Sequence, residues 1–547
     1  MDSSSSSSSV DLNSGFSSKT KTFQSLRPPL LLPPESSPLS AASYALSLQQ
    51  NTSPWLKSTA FIDSSTGRRI SFSDFRQRVV SLASSIQNTL RLSKNDVAFV
   101  LSPNSTHIPI LYFSLLSLGI VISPANPLST ESELLRQIKL TKPVIAFATS
   151  RNFQKLPKLK HPAVLIDSPE FESMMTNTNT GYLKFETVEV NQSDLAAIMY
   201  SSGTTGDVKG VKLTQQNFIA SIANYHAQRP ERNSPAVMLY TVPLFHVFGF
   251  HYILKSVTLT ETVVVMERFD LKKMLKTVED FKVTQLVVAP PVVVAMAKGS
   301  VTHGYDLSSL EAVGSGGAPL GKDVMQAFGD RFPNIILFQG YGLTETAGAA
   351  FRAATTEEML RRGSVGRLLA NSEAKIVDAD TGIVLPPGEQ GELWIKGPTI
   401  MQGYFDDPKN TSETLMPGGW LRTGDLCYID HHGYLFVVDR LKELIKYKGY
   451  QVAPAELEQL LQSHPEIVDA AVIPYPDEEA GQLPMAFVVR RPRSSLVKEQ
   501  VIDFISKQVA PYKKIRRVAF VSSIPKSPSG KILRKELKRI HLTGSKL

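Results

Sequence analysis

From about residue 39 to Val438, short β-branched runs alternate with segments of helical periodicity. Val263–Met266 and Leu286–Ala289 are typical of buried strands, and Leu271–Phe281 is typical of a helix between them. This alternation is the pattern of βαβ units, whose helices cover the faces of a parallel sheet. The sequence therefore predicts an α/β fold in which helices sandwich parallel-rich sheets.

The composition of the sequence becomes charged at the run Asp439–Lys442, and a smaller α+β pattern follows it. Pro454 is suited to open a helix there, because proline fits the first helical turn. We therefore predict a large N-terminal domain over residues 39–438, a hinge over 439–442 and a small α+β lid domain over 443–544. Residues 1–38 are rich in serine and proline and are predicted to be a disordered tail.

The composition argues against several classes of protein. The chain of 547 residues has 42% hydrophobic and 20% charged residues, as ordinary globular proteins do. Its net charge of +9 is spread out without a basic stripe interleaved with aromatics, so we do not expect nucleic-acid binding. The apolar stretch Ile108–Ile122 is short for a membrane span, so we predict a buried helix running into a strand. The single cysteine, Cys427, excludes an internal disulfide and fits a reducing compartment.

The two ends of the chain carry different signals. The serine run Ser3–Ser9 lacks the apolar core of a secretory signal, and a plastid transit peptide or a disordered tail are the alternatives, of which we favour the tail. The chain finishes with Ser545-Lys546-Leu547, which has the form of a peroxisomal import signal read by a receptor. We therefore predict a peroxisomal location, with the import receptor as a partner.

The segment Tyr200–Val211 places glycines, hydroxyls and Lys209 between two apolar stretches. Glycines let backbone N–H groups approach phosphate oxygens, hydroxyls donate hydrogen bonds, and a lysine supplies a mobile cation. The common P-loop does not fit, because Gly210 rather than Ser or Thr follows Lys209. The composition indicates a phosphate-binding loop and leaves a plain flexible surface loop as the alternative.

Further segments combine glycines with residue types suited to nucleotide chemistry; they are Gly314–Leu320, Gln339–Glu345, Trp420–Asp425, Asp439–Gln451 and Pro525–Arg534. Tyr341 can stack on adenine, and Glu345 offers hard oxygens to Mg²⁺. Asp425 can accept hydrogen bonds from both ribose hydroxyls, because an ionised carboxylate offers only acceptors. Lys531 follows a glycine, which suits a cation on a mobile loop. Taken alone, each segment would equally fit a tight turn, a helix cap or a solvated basic face.

Taken together and in this order, these motifs resemble those of the adenylate-forming enzymes, which include acyl-CoA synthetases, luciferases and peptide-synthetase adenylation domains. The resemblance runs from about residue 40 to near the C-terminus and is strongest to plant 4-coumarate–CoA ligases and their peroxisomal relatives. It implies that ATP or AMP is bound by Ser201, Ser202, Gly203, Thr204, Thr205, Lys209, Gln339, Gly340, Tyr341, Thr344, Asp425, Arg440 and Lys442. It implies that Lys531, Lys446 and Gln451 are catalytic, that His246, Phe248 and Gly316 contact the acyl substrate, that Arg268, Lys448 and Gly449 bind CoA, and that Glu345 holds Mg²⁺.

The reaction implied by this resemblance has two steps. A carboxylic acid reacts with ATP to give an acyl-AMP and diphosphate, and CoA then displaces AMP to give an acyl-CoA. The resemblance further implies a lid that swings about Lys442 between the steps, removing Lys531 and bringing Lys446–Gly449 across. The expected cofactor and co-substrates are therefore Mg²⁺, ATP and CoA.

Three positions depart from the pattern of the family. Val208 replaces the usual proline of the phosphate loop, Trp394 stands where 4-coumarate ligases usually carry a cysteine-containing segment, and Phe248 replaces a tyrosine. The predicted substrate is 4-coumarate or a related hydroxycinnamate, and a fatty acid or a jasmonate precursor is the alternative. More remote alternatives are a luciferase-type oxygenase and an inactive protein that binds acyl groups or nucleotides.

Overall fold

The computed structural model describes residues 10–49, 57–176, 188–202, 208–318, 320–448, 450–527 and 530–544. The strands within these residues are β1 (Phe16–Ser17), β2 (Thr22–Gln24), β3 (Thr59–Asp63), β4 (Arg69–Ser71), β5 (Val97–Leu101), β6 (Val121–Ala125), β7 (Ile145–Ala148), β8 (Val164–Leu165), β9 (Leu195–Ser202), β10 (Val208–Thr214), β11 (Val237–Tyr240), β12 (Thr262–Val265), β13 (Gln285–Val288), β14 (Ala312–Ser315), β15 (Ile336–Leu343), β16 (Gly348–Arg352), β17 (Arg367–Leu368), β18 (Glu373–Val377), β19 (Val384–Leu385), β20 (Gly391–Lys396), β21 (Gly403–Tyr404), β22 (Leu415–Met416), β23 (Trp420–Ile429), β24 (Leu435–Arg440), β25 (Ile445–Tyr447), β26 (Tyr450–Val452), β27 (Ile467–Asp477), β28 (Gly481–Arg490) and β29 (Arg517–Phe520).

The helices are α1 (Ala41–Ser47), α2 (Phe72–Asn88), α3 (His107–Ser117), α4 (Glu131–Thr141), α5 (Ser150–Phe153), α6 (Pro169–Thr176), α7 (Gln215–Ala227), α8 (Val247–Thr258), α9 (Leu271–Phe281), α10 (Pro290–Lys298), α11 (Lys322–Arg331), α12 (Thr356–Met359), α13 (Pro408–Thr414), α14 (Pro454–Ser463), α15 (Lys498–Ser506) and α16 (Arg534–Gly544).

Two large sheets form the body of the N-terminal part. One has the order β21-β10-β9-β6-β5-β7-β8 and the other β17-β16-β15-β14-β13-β11-β12-β3-β4. Their inner strands pair in parallel, and the antiparallel pairs lie towards the ends of the sheets. Helices α1, α2, α3, α7 and α8 lie between the sheets in one shared core, while α9, α10 and α11 cover the far face of the nine-stranded sheet. The predicted α/β fold with parallel-rich sheets is confirmed.

The stretch Ile108–Ile122 forms most of α3 and the start of β6, as predicted. Its side chains are almost entirely buried, because α3 packs in the shared core between the two sheets. Among the described residues, no helix is long and apolar enough to cross a membrane.

A third sheet was not predicted. Its order is β1-β2-β18-β20-β23-β22, with β19 beside β18 and β24 beside β23, and all its pairs are antiparallel. Residues 373–377 alternate between half-buried and buried positions over much of their length. This alternation is usual in an antiparallel sheet with one face towards solvent. The expectation of parallel-rich sheets therefore needs correction for the residues from about 367 to 440.

The prediction of a disordered tail over residues 1–38 is wrong for residues 10–38, and residues 1–9 lie outside the described part. Strands β1 and β2 form a hairpin in which the rings of Phe16 and Phe23 lie 5.0 Å apart, and Phe23 pairs with Ala374 of β18. Arg27 forms a buried ion pair of 2.9 Å with Glu358. These aromatic and ionic contacts order the segment despite its serine- and proline-rich composition.

The smaller C-terminal part has its own sheet and core. The sheet has the order β26-β25-β28-β27, with β29 beside β28. Buried side chains of α14 and α15, including Leu457, Leu461 and Val501, pack on it. Pro454 opens α14 as predicted. A short 3-10 turn, Leu441–Glu443, follows β24 and leads into β25, so the connection between the two parts lies at the predicted hinge region.

Candidate active site

One large cavity lies where the ends of strands from both large sheets meet the C-terminal part. Its volume is about 1690 Å³, and its wall includes Ser201 at the end of β9 and Ser315 at the end of β14. Lys531 from the C-terminal part reaches the same cavity. Ligands of open α/β sheets typically bind beyond the carboxyl ends of the strands. The position of the cavity therefore agrees with the predicted nucleotide site.

The predicted phosphate loop connects β9 to β10, and the structure describes both of its stems. Lys209 stands opposite Ser201 in the antiparallel pair. The Lys209 ammonium donates to Asn410 Oδ1 at 2.6 Å and lies 4.7 Å from the centroid of the Tyr404 ring. The tip residues Gly203, Thr204 and Thr205 and the side chain of Ser202 lie outside the described part. The stems alone place a hydroxyl and a cation on the cavity wall.

Glu345 lies beside these stems, in a 3-10 turn that begins at Thr344. Its Oε1 accepts hydrogen bonds from Ser201 Oγ at 3.1 Å and from Tyr404 OH at 3.0 Å, and both Glu345 and Thr344 line the cavity. No cluster of three or more metal-binding side chains occurs among the described residues. One carboxylate beside a phosphate site fits Mg²⁺, because this ion usually takes one or two protein carboxylates and completes its shell with phosphate and water.

Asp425 and Arg440 face each other on β23 and β24, with 3.4 Å between Asp425 Oδ1 and Arg440 Nε. Tyr341 OH donates to Asp425 Oδ2 at 2.6 Å. Burial raises the pKa of the Asp425 carboxyl, and the charge of Arg440 opposes that effect. Arg440 and Tyr341 line the cavity, whereas Asp425 lines an adjoining cleft. The three predicted nucleotide contacts are therefore brought together in one hydrogen-bonded group.

Gln339 has a different position from the one that its predicted role suggests. Its side chain is buried, with Oε1 accepting from the backbone N–H of Leu320 at 2.9 Å and Nε2 directed at Met325 Sδ at 3.5 Å. It lines the adjoining cleft and not the main cavity, while Gly340 lines both. In this conformation Gln339 supports the segment that follows Gly316.

Lys531 lies in the cavity wall together with Arg440 and Lys442. Burial lowers the pKa of Lys531 to about 8, and the charges of Arg440 and Lys442 add to this effect. The preceding residue, Gly530, has a φ of +85° in the turn that presents the lysine. Three cations therefore face the place where an anionic ligand would lie.

The sequence motifs did not reveal the structural role of two cations near Lys531. Lys526 forms a 2.6 Å ion pair with Asp469, and Arg534 pairs with Glu458 at 2.7 Å and with Glu443 at 3.3 Å. Both cations are therefore held in ion pairs of the C-terminal part. Their ion pairs fix both ends of the segment that carries Lys531.

His246 and Phe248 lie at the start of α8, where His246 Nδ1 accepts from the backbone N–H of Phe248 at 3.3 Å. Burial, together with the charge of Lys531, lowers the pKa of His246 to about 4. The imidazole is therefore neutral near pH 7, which suits a wall residue. A Cβ placed on Gly316 would lie 3.4 Å from Phe248 Cζ, so the ring stands over this glycine, and both residues line the cavity.

The remaining predicted residues lie away from the cavity. Lys446 and Gln451 are exposed and face each other on β25 and β26, and the backbone N–H of Lys446 donates to Gln482. Lys448 is exposed and ion-paired with Glu479, and Arg268 is exposed on the N-terminal part. Gly449 lies outside the described part. The structure thus places Lys531, Arg440 and Lys442 on the cavity. It leaves Lys446 and Gln451 outside the cavity.

A second cleft, of about 1150 Å³, separates the two parts of the chain and adjoins the main cavity at Gly340 and Tyr341. Its lining includes cations that the sequence motifs did not single out, namely Lys298, Lys322, Arg331 and Arg491. Burial beside Arg491 lowers the pKa of Lys298 to about 8. These residues lie far apart in sequence, so no local motif could have grouped them.

Comparison with known proteins adds independent information. The family model described as AMP-binding enzyme matches residues 48–405, and the model of its C-terminal domain matches residues 456–531. The protein 4-coumarate–CoA ligase-like 9 of Arabidopsis thaliana is 50% identical over 98% of both chains. Peroxisomal OPC-8:0-CoA ligase 1 of the same plant is 46% identical over 98% of this chain and 100% of its own length. The crystal structure of ATP-bound MatB from Rhodopseudomonas palustris superposes with a TM-score of 0.80 at 25% identity, covering 92% of this chain and 99% of that one.

Proposed function

Since the chain belongs to the AMP-binding enzyme family and is an acid–thiol ligase, we propose that it forms an acyl-CoA from a carboxylic acid, ATP and CoA through an acyl-AMP intermediate. The observation that carries this proposal is the continuity of the main cavity. The hydroxyl and cation of the phosphate stems, the carboxylate of Glu345 and the ammonium of Lys531 line the same cavity as Tyr252 and Lys255 of α8. We call the part of the cavity along α8 beyond Phe248 the acyl chamber.

In the first step a carboxylate oxygen attacks the α-phosphorus of ATP, and the bond to the diphosphate oxygen breaks. Positioning and charge stabilisation dominate such a transfer. We propose that Lys531 holds the substrate carboxylate against the α-phosphate and that Lys209 holds the outer phosphates. Asp425 and Arg440 are proposed to anchor the ribose, and the ring of Tyr341 to support adenine. Glu345 would hold Mg²⁺, which neutralises phosphate charge when bound.

In the second step the sulfur of CoA attacks the acyl carbonyl carbon, and AMP leaves with the former carboxylate oxygen. The cations of the second cleft, Lys298, Arg331 and Arg491, are suited to the phosphates of CoA. Because Lys446 and Gln451 are exposed here, their proposed contact with the adenylate requires the lid to move between the steps.

The acyl chamber favours a longer acid than 4-coumarate. Phe248, Tyr252 and Lys255 line it along α8, and Lys255 lies about 10 Å beyond Phe248 at the helical rise per residue. An acid that ends near Phe248 would leave the space between Phe248 and Lys255 unfilled. The relative named for OPC-8:0 shows that similarity at this level includes a ligase named for an acid other than 4-coumarate. We therefore propose an acid with an extended tail, of the fatty-acyl or jasmonate-precursor class.

The proposed location is the peroxisome. The terminal Ser545-Lys546-Leu547 has the form of the import signal, and a 46% identical relative is named as peroxisomal. These terminal residues lie outside the described part of the structure.

A panel of acids tests the proposed function. With ATP, Mg²⁺ and CoA, we expect AMP release that depends on CoA, with acids of about eight to twelve carbons turned over faster than 4-coumarate, because they fill the chamber beyond Phe248. The panel contains 4-coumarate, cinnamate, benzoate and straight-chain acids of increasing length. A best rate with 4-coumarate would contradict the proposed acyl class, and absence of AMP release with every acid would contradict the ligase itself.

The rate of acyl-AMP formation is expected to fall at alkaline pH. Lys531 must carry its proton to hold the carboxylate and phosphate, and its pKa in the free protein is lowered to about 8. The value of kcat/KM, which reports groups of the free enzyme, should therefore be flat below this pH and decline above it. Lys531→Arg should remove the decline, because the guanidinium stays protonated.

Lys442 provides the matched control for this pH profile, because loss of solvation lowers its pKa to about 8 as well. If Lys442→Arg abolishes the alkaline decline while Lys531→Arg leaves it unchanged, the decline belongs to Lys442 and the assignment to Lys531 is wrong.

A further inference from the structure

The far end of the acyl chamber contains charged side chains. Phe248, Tyr252 and Lys255 follow one another at helical spacing on α8, and all line the cavity. Glu261, which precedes β12, and Arg352, which ends β16, line the same cavity. A chamber built for a purely apolar tail would be expected to end in apolar side chains, since buried charges are costly unless they are paired.

Lys255 and Glu261 form a tight pair at this end. Lys255 Nζ lies 2.6 Å from Glu261 Oε1 and 2.7 Å from Oε2, and Ser256 Oγ donates to Oε2 at 2.6 Å. Their side chains are 7% and 8% exposed. An ammonium has three N–H donors, and the hydrogen bonds of Lys255 Nζ within the described residues both go to Glu261. One donor of Lys255 is therefore left for a ligand.

Arg352 adds a second cation. Its Nη2 donates to Gln228 Oε1 at 2.9 Å and to the Asn224 carbonyl at 3.2 Å, and its guanidinium carbon lies 4.2 Å from the centroid of the Tyr225 ring. Its Nε is buried and has no hydrogen-bond partner among the described residues.

The charges at this end do not balance. Burial lowers the pKa of Lys255, the paired carboxylate of Glu261 opposes this effect, and the charge of Arg352 adds to it. The nearby Glu358 is engaged by Arg27 at 2.9 Å. Arg232, which also acts on Lys255, is paired with Glu311 at 2.7 Å. Within the described residues Glu261 is thus the one carboxylate that is ion-paired with Lys255 or Arg352, which favours an electron-rich group on the ligand.

We propose that this end of the chamber is a specificity site for an oxygen on the far end of the acyl tail, a carbonyl or a hydroxyl that accepts hydrogen bonds from Lys255 and Arg352. The inference rests on the proposed acyl-CoA ligase function. From His246 to Lys255 the rise along the helix is about 13 Å. An extended carbon chain advances by about 1.25 Å per carbon, so the oxygen would lie roughly ten carbons from the carboxylate.

The test compares acids of equal length that differ only at the far end. Decanoate, 10-hydroxydecanoate, 9-oxodecanoate and decanedioate are assayed with the intact protein, ATP, Mg²⁺ and CoA. The hydroxy and oxo acids are expected to exceed decanoate in kcat/KM by about 10-fold or more, as a hydrogen bond to a charged group would give. The kcat/KM with decanedioate shows whether the site also accepts a group with a full negative charge.

The matched variant is Lys255→Met with Glu261→Gln, which removes both charges together and avoids leaving one unpaired. It should lose the preference for the oxygenated acids, so that the ratio of their kcat/KM to that of decanoate falls by about 10-fold. Arg352→Met is expected to weaken the same preference independently. Lys276→Met, which removes an exposed ion-paired lysine of α9, should change neither the preference for oxygenated acids nor the kcat/KM with decanoate.

Three results would overturn the inference. They are equal turnover of all four acids by the unaltered protein, a preference that survives in both variants, and a double variant that loses decanoate and oxygenated acids alike, which would show a purely structural role. In each of these cases turnover of decanoate by the unaltered protein leaves the ligase function standing. Absence of turnover with every acid would contradict the ligase function itself, and the site with it.

Discussion

Replacement of Lys531 by alanine is expected to slow acyl-AMP formation by about 10²–10³-fold, the usual cost of losing one well-placed stabilising group. Lys531 stands in the cavity wall with Arg440 and Lys442, and it is the one of these three carried by the segment between Lys526 and Arg534. In the proposed function its ammonium bridges the substrate carboxylate and the α-phosphate. In the second step this bridge is no longer needed, because the acyl–phosphate bond already exists.

The measurement separates the two half-reactions. Exchange of labelled diphosphate into ATP follows the first step, and CoA-dependent release of AMP from supplied acyl-AMP follows the second. Lys531→Ala should lose the first activity and keep the second within a few-fold, and Lys538→Ala, a change at an exposed lysine of α16, should keep both. Equal loss of both steps in Lys531→Ala would show that the residue supports the fold or both reactions, and its assignment to the first step would be wrong.

Local motifs predicted the parts of the site that depend on local chemistry. Lys209, Glu345 and Lys531 were found because each stands in a short segment where glycines, hydroxyls or charges are unusual, and the structure places all three on one cavity. Asp425 and Arg440 were assigned together, and they face each other on adjacent strands. The α/β class followed from periodicity, which is also a local property.

The features that were missed depend on contacts between distant residues. Gln339 was assigned to the nucleotide, yet its carboxamide is bound to Leu320 by packing that its own motif does not encode. The hairpin of residues 16–24 is ordered by pairing with β18, far along the chain, whereas its composition indicated disorder. Lys255 stands in an otherwise ordinary helix sequence, and its importance appears only when α8 lies between the two sheets with Glu261 beside it.

Locking the lid in the present arrangement is expected to stop the second step and to spare the first. A Cβ built on Gly321, at the start of α11, would lie 3.2 Å from Gln459 Cβ on α14 of the C-terminal part. Disulfides join residues whose Cβ atoms lie about 3.5–4.5 Å apart, so a small shift would allow a bond between Gly321→Cys and Gln459→Cys. Gly321 has a φ of −65°, which a cysteine accepts without strain.

The oxidised double variant should form acyl-AMP at a nearly normal rate, because Lys531 is already in the cavity. Its CoA-dependent step should fall by about 10²-fold or more, since Lys446 remains outside and misplacement of reacting groups by even 1 Å is costly. A reducing agent should restore it, and each single variant should behave normally under oxidation. The native Cys427 does not interfere, because it is buried and burial raises the pKa of its thiol. If the cross-linked protein turns over CoA at full rate, the lid does not need to move. The proposed roles of Lys531 in the first step and of Lys446 in the second step would then be wrong.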